Sequence, residues 1–150
     1  MTLQEIVADL LAQADSGPPT AAALIERYKG SAKSMSTAGP QLAHPAWTKR
    51  VGSASDVFLD LDGVDLHGLQ LWEDSRGWGA YVEVSVARGQ LADVEAVTGP
   101  TSPMPRAPGA FGVGDKVSAY IPKGGRTVRV FVELVKRGPA VARVTVHFQR

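Results

Sequence analysis

The last part of the chain alternates strictly between apolar and polar residues, and this pattern constrains the fold more than any other feature. Residues 126–134 place Val or Leu at every second position, and residues 143–149 repeat the alternation. Successive side chains of a β-strand point to opposite faces, so one face of each segment suits a core and the other suits water or a partner. The buried side chains of these two strands are expected to be Val130, Val132, Val144 and Val146.

The other elements predict an α+β fold in one domain spanning residues 1–150. Thr2 and Glu5 stand at capping-box positions before a run of apolar residues at helical spacing. Short connections between strand patterns favour antiparallel pairing. We expect an antiparallel sheet of about six strands in two three-strand meanders, two N-terminal helices and one short central helix. Residues 30–55 and 100–114, rich in Gly, Pro, Ser and Ala, are expected to form mobile loops.

The pair Asp62-Gly63 separates two strand patterns, over residues 56–61 and 64–72. Asp-Gly is the dipeptide that a two-residue type I′ hairpin turn favours, because both central residues need positive φ. We therefore predict a hairpin whose tight turn consists of these two residues.

Composition excludes several classes of protein. The chain has 150 residues and no cysteine, so it has neither a disulfide framework nor a thiolate zinc site. Its N-terminus lacks the basic and apolar regions of a signal peptide, and no apolar run approaches the roughly 20 residues of a membrane helix. We expect a cytoplasmic protein that needs no cofactor and no membrane.

Acidic residues are concentrated in one stretch of the chain. Residues 56–74 contain six Asp or Glu and no Lys or Arg. Such a stretch suits a basic protein partner, and nearby tryptophans are favoured interface anchors. The predicted partner-binding residues, called the acidic strip below, are Asp56, Asp60, Asp62, Asp65, Trp72, Glu73, Asp74 and Trp78.

One motif points to chemistry instead. Residues 56–64 read Asp-Val-Phe-Leu-Asp-Leu-Asp-Gly-Val, which resembles the first motif of the haloacid-dehalogenase superfamily of phosphatases. The resemblance implies that Asp60 is a nucleophile and Asp62 an acid/base beside a magnesium ion, in a doubly wound parallel sheet. That family continues with an apolar residue where this chain has Asp65. A magnesium-dependent phosphatase is thus an alternative to the hairpin interpretation, in which both aspartates are structural.

A second resemblance concerns the C-terminal half. A helical pattern over residues 90–98 ends in Gly99-Pro100 and precedes three strand patterns. This unit resembles the helix-and-meander modules of bacterial β-lactamase-inhibitor proteins and of small outer-membrane-assembly lipoproteins, although the chain lacks their lipobox cysteine. In general style the chain also resembles small actinobacterial toxin-immunity proteins. These resemblances imply a bacterial protein that binds another protein and has no catalytic residues. The matching positions are Leu91, Val94, Glu95, Val97, Gly99 and Pro100.

The leading functional hypothesis is therefore a non-enzymatic immunity or inhibitor protein that occludes the active site of a toxin. Two further alternatives are an accessory subunit and a sheet that binds nucleic acid. For the last, Arg129 and Arg143 share the outward face of their strands with Phe131, and Tyr120 can join them. A net charge of +1 gives nucleic-acid binding only weak support. The basic stripe considered for this role is Lys116, Arg126, Arg129, Arg143 and Arg150.

Overall fold

The chain forms an eight-stranded antiparallel sheet with helices packed on one face. The computed structural model describes residues 1–18, 21–28, 32–37, 57–61, 65–73, 79–105, 114–123, 125–136 and 138–149. The helices are α1 (Leu3–Gln13), followed by a 3-10 turn (Ala14–Ser16), α2 (Ala21–Tyr28) and α3 (Leu91–Thr98). The strands are β1 (Ala32–Thr37), β2 (Val57–Leu61), β3 (Leu66–Glu73), β4 (Gly79–Val86), β5 (Ser102–Pro103), β6 (Lys116–Lys123), β7 (Arg126–Leu134) and β8 (Val141–Gln149).

The sheet consists of two halves, and in each half helical structure and strands follow one another in the same order along the chain. Its strand order is β1-β2-β3-β4-β8-β7-β6-β5. Each half begins with helical structure and continues as a four-strand meander, and the two halves meet where β4 pairs with β8. The predicted α+β fold and its antiparallel meanders are confirmed in β2–β4 and β6–β8, and one further strand extends each end of the sheet.

The two added strands lie in segments that the sequence predicted as loops. Strand β1 has the sequence Ala-Lys-Ser-Met-Ser-Thr, which contains no apolar alternation. It forms because its backbone pairs with β2, from Ala32↔Leu61 to Thr37↔Val57. Strand β5 pairs with β6 over two residues. Within these two predicted loops, residues 30–31, 38–55 and 106–113 lie outside the described residues.

The β2–β3 hairpin is confirmed, but its register differs from the predicted tight turn. A two-residue turn at 62–63 would pair Asp60 with Asp65. The structure instead pairs Asp60 with Gly68 and Val57 with Leu71. The connection is therefore longer than a type I′ turn, because the packing of Leu69 and Leu71 into the core decides the register.

Helix α1 supplies the main cover of the sheet. The predicted capping box is present, since the Glu5 N–H donates to Thr2 Oγ1 at 3.1 Å and the Thr2 N–H donates to Glu5 Oε2 at 2.9 Å. The helix buries an apolar stripe in the core and packs against α3. The buried stripe consists of Leu3, Ile6, Val7, Leu10 and Leu11.

Side-chain hydrogen bonds join α2 to α1 around the buried Tyr28. The Tyr28 hydroxyl donates to Asp9 Oδ2 and accepts from Gln13 Nε2 at 2.9 Å. Arg27 forms an ion pair with the same Asp9 carboxylate. The hydrogen bond from Arg27 holds the pKa of the Asp9 carboxyl below its usual range, and burial raises the pKa of the Tyr28 hydroxyl. This cluster fixes the N-terminal helical pair.

The sheet residues under α1 match the predicted core. Val130, Val132, Val144 and Val146 are all fully buried, which confirms the parity assigned from the alternation. They join Val82, Val84 and Phe148 from the central strands in the same cluster. Fully burying one such side chain contributes about 1.5–3 kcal/mol. The central four strands are thus held by one continuous apolar layer.

Candidate functional site on the polar face of the sheet

The face of the sheet opposite the helices carries polar and aromatic side chains in aligned rows. Alternation along each strand assigns these residues to that side, because their neighbours in sequence belong to the core. We call this surface the polar face. It comprises Tyr81, Glu83 and Ser85 on β4, Arg143, Thr145 and His147 on β8, Arg129, Phe131 and Glu133 on β7, and Lys116, Ser118 and Tyr120 on β6.

One row crosses four strands and contains two pairs of side chains in ring contact, and we call it the stacked row. The register pairs Tyr81 with His147, His147 with Arg129, and Arg129 with Tyr120. The Tyr81 and His147 rings are parallel, with centroids 4.0 Å apart and planes inclined by 6°. The Arg129 guanidinium lies 5.0 Å from the centroid of the Tyr120 ring. Cross-strand packing of this kind holds each side chain in a fixed place.

A neighbouring group of charges surrounds Arg143. Its Nε lies 3.6 Å from Glu83 Oε1 and 3.9 Å from Glu133 Oε2. Glu83 is only 6% exposed. Because burial weakens screening by water, this arrangement of one guanidinium between two carboxylates fixes Arg143 more firmly than an exposed pair would. Lys116 lies opposite Glu133 in register and is exposed.

Three members of the stacked row, Tyr81, His147 and Arg129, border one cavity of about 290 Å³ together with the charged group. Its walls come from β4, β6, β7 and β8, so it spans the junction between the two halves of the sheet. Met104, just beyond β5, also lines the cavity. Polar lining residues include Glu83, Lys116, Arg129, Glu133, Arg143 and His147. A concave surface with a few fixed polar groups is the usual form of a binding site.

The acidic strip is only partly within the described chain. Asp56, Asp62, Asp74 and Trp78 lie outside the described residues. Asp65 is half-buried, and its carbonyl accepts hydrogen bonds from the N–H groups of Ala87 and Arg88.

Three residues of the strip have register positions in the sheet. Asp60 lies on β2 opposite Gly68, in the row that continues to Ser85 and Arg143. In register, Trp72 on β3 lies opposite Tyr81, whereas Glu73 lies opposite the buried Ala80. The register positions of the acidic strip therefore belong to rows on both faces of the sheet.

The basic stripe divides in a similar way. Arg129 and Arg143 lie on the polar face with Phe131, as the alternation predicted, and Lys116 and Tyr120 lie on the same face. Arg126 shares the opposite parity, with the buried Val128, and lies beside Gly17. Arg150 is outside the described residues.

The structure gives the phosphatase resemblance no support. Strand β2, which carries Asp60, is antiparallel to both of its neighbours, β1 and β3. The implied fold has a doubly wound parallel sheet, and every pairing between described strands is antiparallel. Within the described part of the chain, no group of three or more His, Asp or Glu side chains is placed to hold a metal ion.

Sequence reasoning missed Tyr81, Glu83, Glu133 and His147 as members of a site. Their outward parity was readable within each strand. That these side chains lie together could not be predicted, because it depends on the pairing of β4 with β8. In this pairing Val82 lies opposite Val146, which is 64 residues further along the chain. The sequence feature that could have pointed to this site was His147, which shares the outward-facing parity of Arg143.

No protein-family model, curated protein or solved structure matches the chain at a significant level. Among the described helices, none has both the length and the apolar character required to cross a bilayer. The function is accordingly inferred from the polar face itself.

Proposed function

We propose that the protein is a non-catalytic binding protein of the inhibitor or immunity type, and that the polar face is its contact surface. The observation that carries this proposal is the stacked row, in which Tyr81, His147, Arg129 and Tyr120 align across four strands. Tyr and Arg are enriched among the residues that dominate binding energy at interfaces. Rigid side chains lose little conformational entropy when a partner binds.

The exposure of the row supports the same function. Tyr120 is 58% exposed, although the Arg129 guanidinium lies over its ring. His147, an inner member of the row, is only 7% exposed. The row thus joins a buried inner member to an exposed end, and Tyr120 at that end is accessible to a partner.

The charges of the polar face favour a protein partner over nucleic acid. Glu83 and Glu133 lie among the basic residues of the cavity and occupy two of the contacts of Arg143. A polyphosphate backbone would bring its own negative charges against these carboxylates. A folded protein can instead present both signs of charge to match the pattern.

Affinity capture from the native host tests the proposal. Tagged wild-type protein would be compared with the variant Tyr120→Ser, Arg129→Ala and with the control Arg88→Ala, Val135→Ser. Both control residues are exposed and lie outside the cavity. The captured partner would be purified and its affinity for each protein measured by calorimetry, after circular dichroism has confirmed folding.

We expect the polar-face variant to bind about tenfold or more weakly, since truncating an interface anchor costs upwards of about 1–2 kcal/mol. The control should bind like the wild type. If the partner is an enzyme, its inhibition should follow the same order. A partner that binds both variants with unchanged affinity would show that its contact surface lies elsewhere.

A further inference from the structure

We propose that the cavity on the polar face receives a single carboxylate side chain of the protein partner, and that Arg129 is its principal contact. This inference rests on the proposed function, because it specifies which chemical group the partner must present to the polar face. It also assigns different roles to the two arginines that border the cavity.

Arg143 and Arg129 differ in what already surrounds them. Arg143 lies between two carboxylates, at 3.6 Å and 3.9 Å. Arg129 has no carboxylate within ion-pair distance among the described residues, and its guanidinium contacts the Tyr120 ring. Stacking uses the flat face of a guanidinium and leaves its in-plane N–H groups to bind a carboxylate with two parallel hydrogen bonds.

The charges that the described lining residues bring to the cavity do not cancel. Lys116, Arg129 and Arg143 contribute three positive charges, and Glu83 and Glu133 contribute two negative charges. The difference among these five side chains is +1. One carboxylate would neutralise it, whereas a dianionic phosphate would leave an excess negative charge beside Glu83. The balance therefore favours a carboxylate as the partner group.

The size of the cavity suits one side chain. Its volume of about 290 Å³ is at the lower end for sites that hold small molecules, which run to roughly 300–1,000 Å³. Phe131 and the Tyr81–His147 stack provide apolar walls beside the arginine. These walls would contact the methylenes of a Glu or Asp side chain, or an aromatic neighbour of that residue.

A small probe can test this before the partner is known. We would titrate the protein with 3-phenylpropionate, which joins a carboxylate to an aromatic ring, and with its neutral amide. Binding would be followed by NMR through the Nε–Hε signals of protein labelled with ¹⁵N-arginine. Inorganic phosphate and a short oligothymidine would be titrated in parallel.

The expected result is that 3-phenylpropionate shifts the Arg129 signal more than the Arg143 signal, while the amide has little effect. Arg129→Gln should weaken binding of the carboxylate about tenfold, the range expected for a charge-assisted pair. Arg129→Lys keeps the charge without the planar fork and should give an intermediate affinity. The control Arg88→Gln, outside the cavity, should bind like the wild type.

Three results would overturn the inference. Equal binding of the acid and the amide would show an apolar cavity with no carboxylate preference. Tighter binding of phosphate or oligothymidine would identify a nucleic-acid surface. No binding of any probe at millimolar concentration would exclude a carboxylate site. In the last case the capture experiment can still succeed, so loss of this inference is distinguishable from loss of the proposed function.

Discussion

Val82 and Val146 lie directly opposite each other at the centre of the sheet, where the last strand of one half pairs with the last strand of the other. Both side chains are fully buried. The rows of the polar face on either side of this pair join residues that belong to different halves, such as Tyr81 and His147. The cavity is therefore a product of the junction, and changes that loosen the junction should affect both stability and binding.

The core prediction concerns Val132, which is 0% exposed on β7. Val132→Ala removes buried methyl groups and leaves a small cavity, so we expect a loss of about 1–3 kcal/mol in the free energy of unfolding. Urea denaturation measures this loss. Val135, just beyond the same strand, is 38% exposed, and Val135→Ala should change stability by less than about 0.5 kcal/mol. Equal effects of the two changes would contradict the assigned core.

A second prediction concerns acid stability through Asp9. Its pKa is lowered in the folded state, chiefly by the hydrogen bond from Arg27. The resulting stabilisation is complete above the unfolded pKa of about 3.9 and is lost as the pH falls through the lower folded pKa. Asp9→Asn should therefore be less stable than the wild type near neutral pH, and the difference should shrink in acid.

Denaturant unfolding between about pH 5 and pH 2 tests this dependence. Asp15→Asn is the control, because Asp15 is 63% exposed and its ion pair with Lys123, at 3.7 Å, is of the kind that contributes little. A difference between wild type and Asp9→Asn that stays constant over this range would show that Asp9 does not titrate as proposed.

A third prediction concerns Gly114, which precedes β6. A Cβ atom added there would lie 1.7 Å from the backbone carbonyl oxygen of Leu134. The Leu134 N–H donates to the Asp115 carbonyl at 2.8 Å, so this backbone has little room to move. Gly114→Ala should cost more than about 3 kcal/mol or prevent folding.

Gly99 provides the matched comparison. Its φ of +79° favours glycine, but a Cβ there would meet nothing within 4 Å. Gly99→Ala should cost only about 1–2 kcal/mol, from its backbone conformation alone. Thermal unfolding of both variants, monitored by circular dichroism, gives the comparison. A Gly114→Ala protein as stable as Gly99→Ala would show that β6 and β7 are less closely apposed.

The acidic strip leads to a fourth prediction, on association kinetics. If it contacts a basic region of the partner, the triple change Asp62→Asn, Asp65→Asn, Asp74→Asn should slow association and leave folding intact. The rate should also fall with salt, because the Debye length shortens from about 30 Å at 0.01 M to about 8 Å at 0.15 M. Stopped-flow measurements with the purified partner test both effects. A rate insensitive to the triple change and to salt would exclude the strip.

How far the sequence predicts this fold depends on the range of each interaction. The burial of Val130 and Val146 could be predicted because alternation is a property of neighbouring residues in one strand. Strand β1 (Ala32–Thr37) could not be predicted, because it is held by backbone pairing with β2 and its sequence has no apolar alternation. Whether such an edge strand forms depends on its pairing with a strand distant in sequence, and local β-propensity does not predict that pairing.

The candidate site shows the same division. The outward positions of Arg129 and Phe131 followed from the alternation of β7, and Tyr120 was recognised as a possible neighbour. That Arg129 also lies opposite His147, and His147 opposite Tyr81, depends on two inter-strand registers. The packing of the core fixes each register, so a register cannot be predicted from the sequence of one strand alone.

The order of the strands also has a consequence for how the chain acquires its structure during synthesis. Domains fold as the chain emerges, N-terminal parts first. Strand β4 is made well before β8, its neighbour at the centre of the sheet, so a nascent first meander would carry an unpaired backbone edge along Gly79–Val86. Such an edge is a template for pairing with another chain. Ribosome-bound intermediates that end before Val141 should therefore be the stage at which this protein most needs a chaperone.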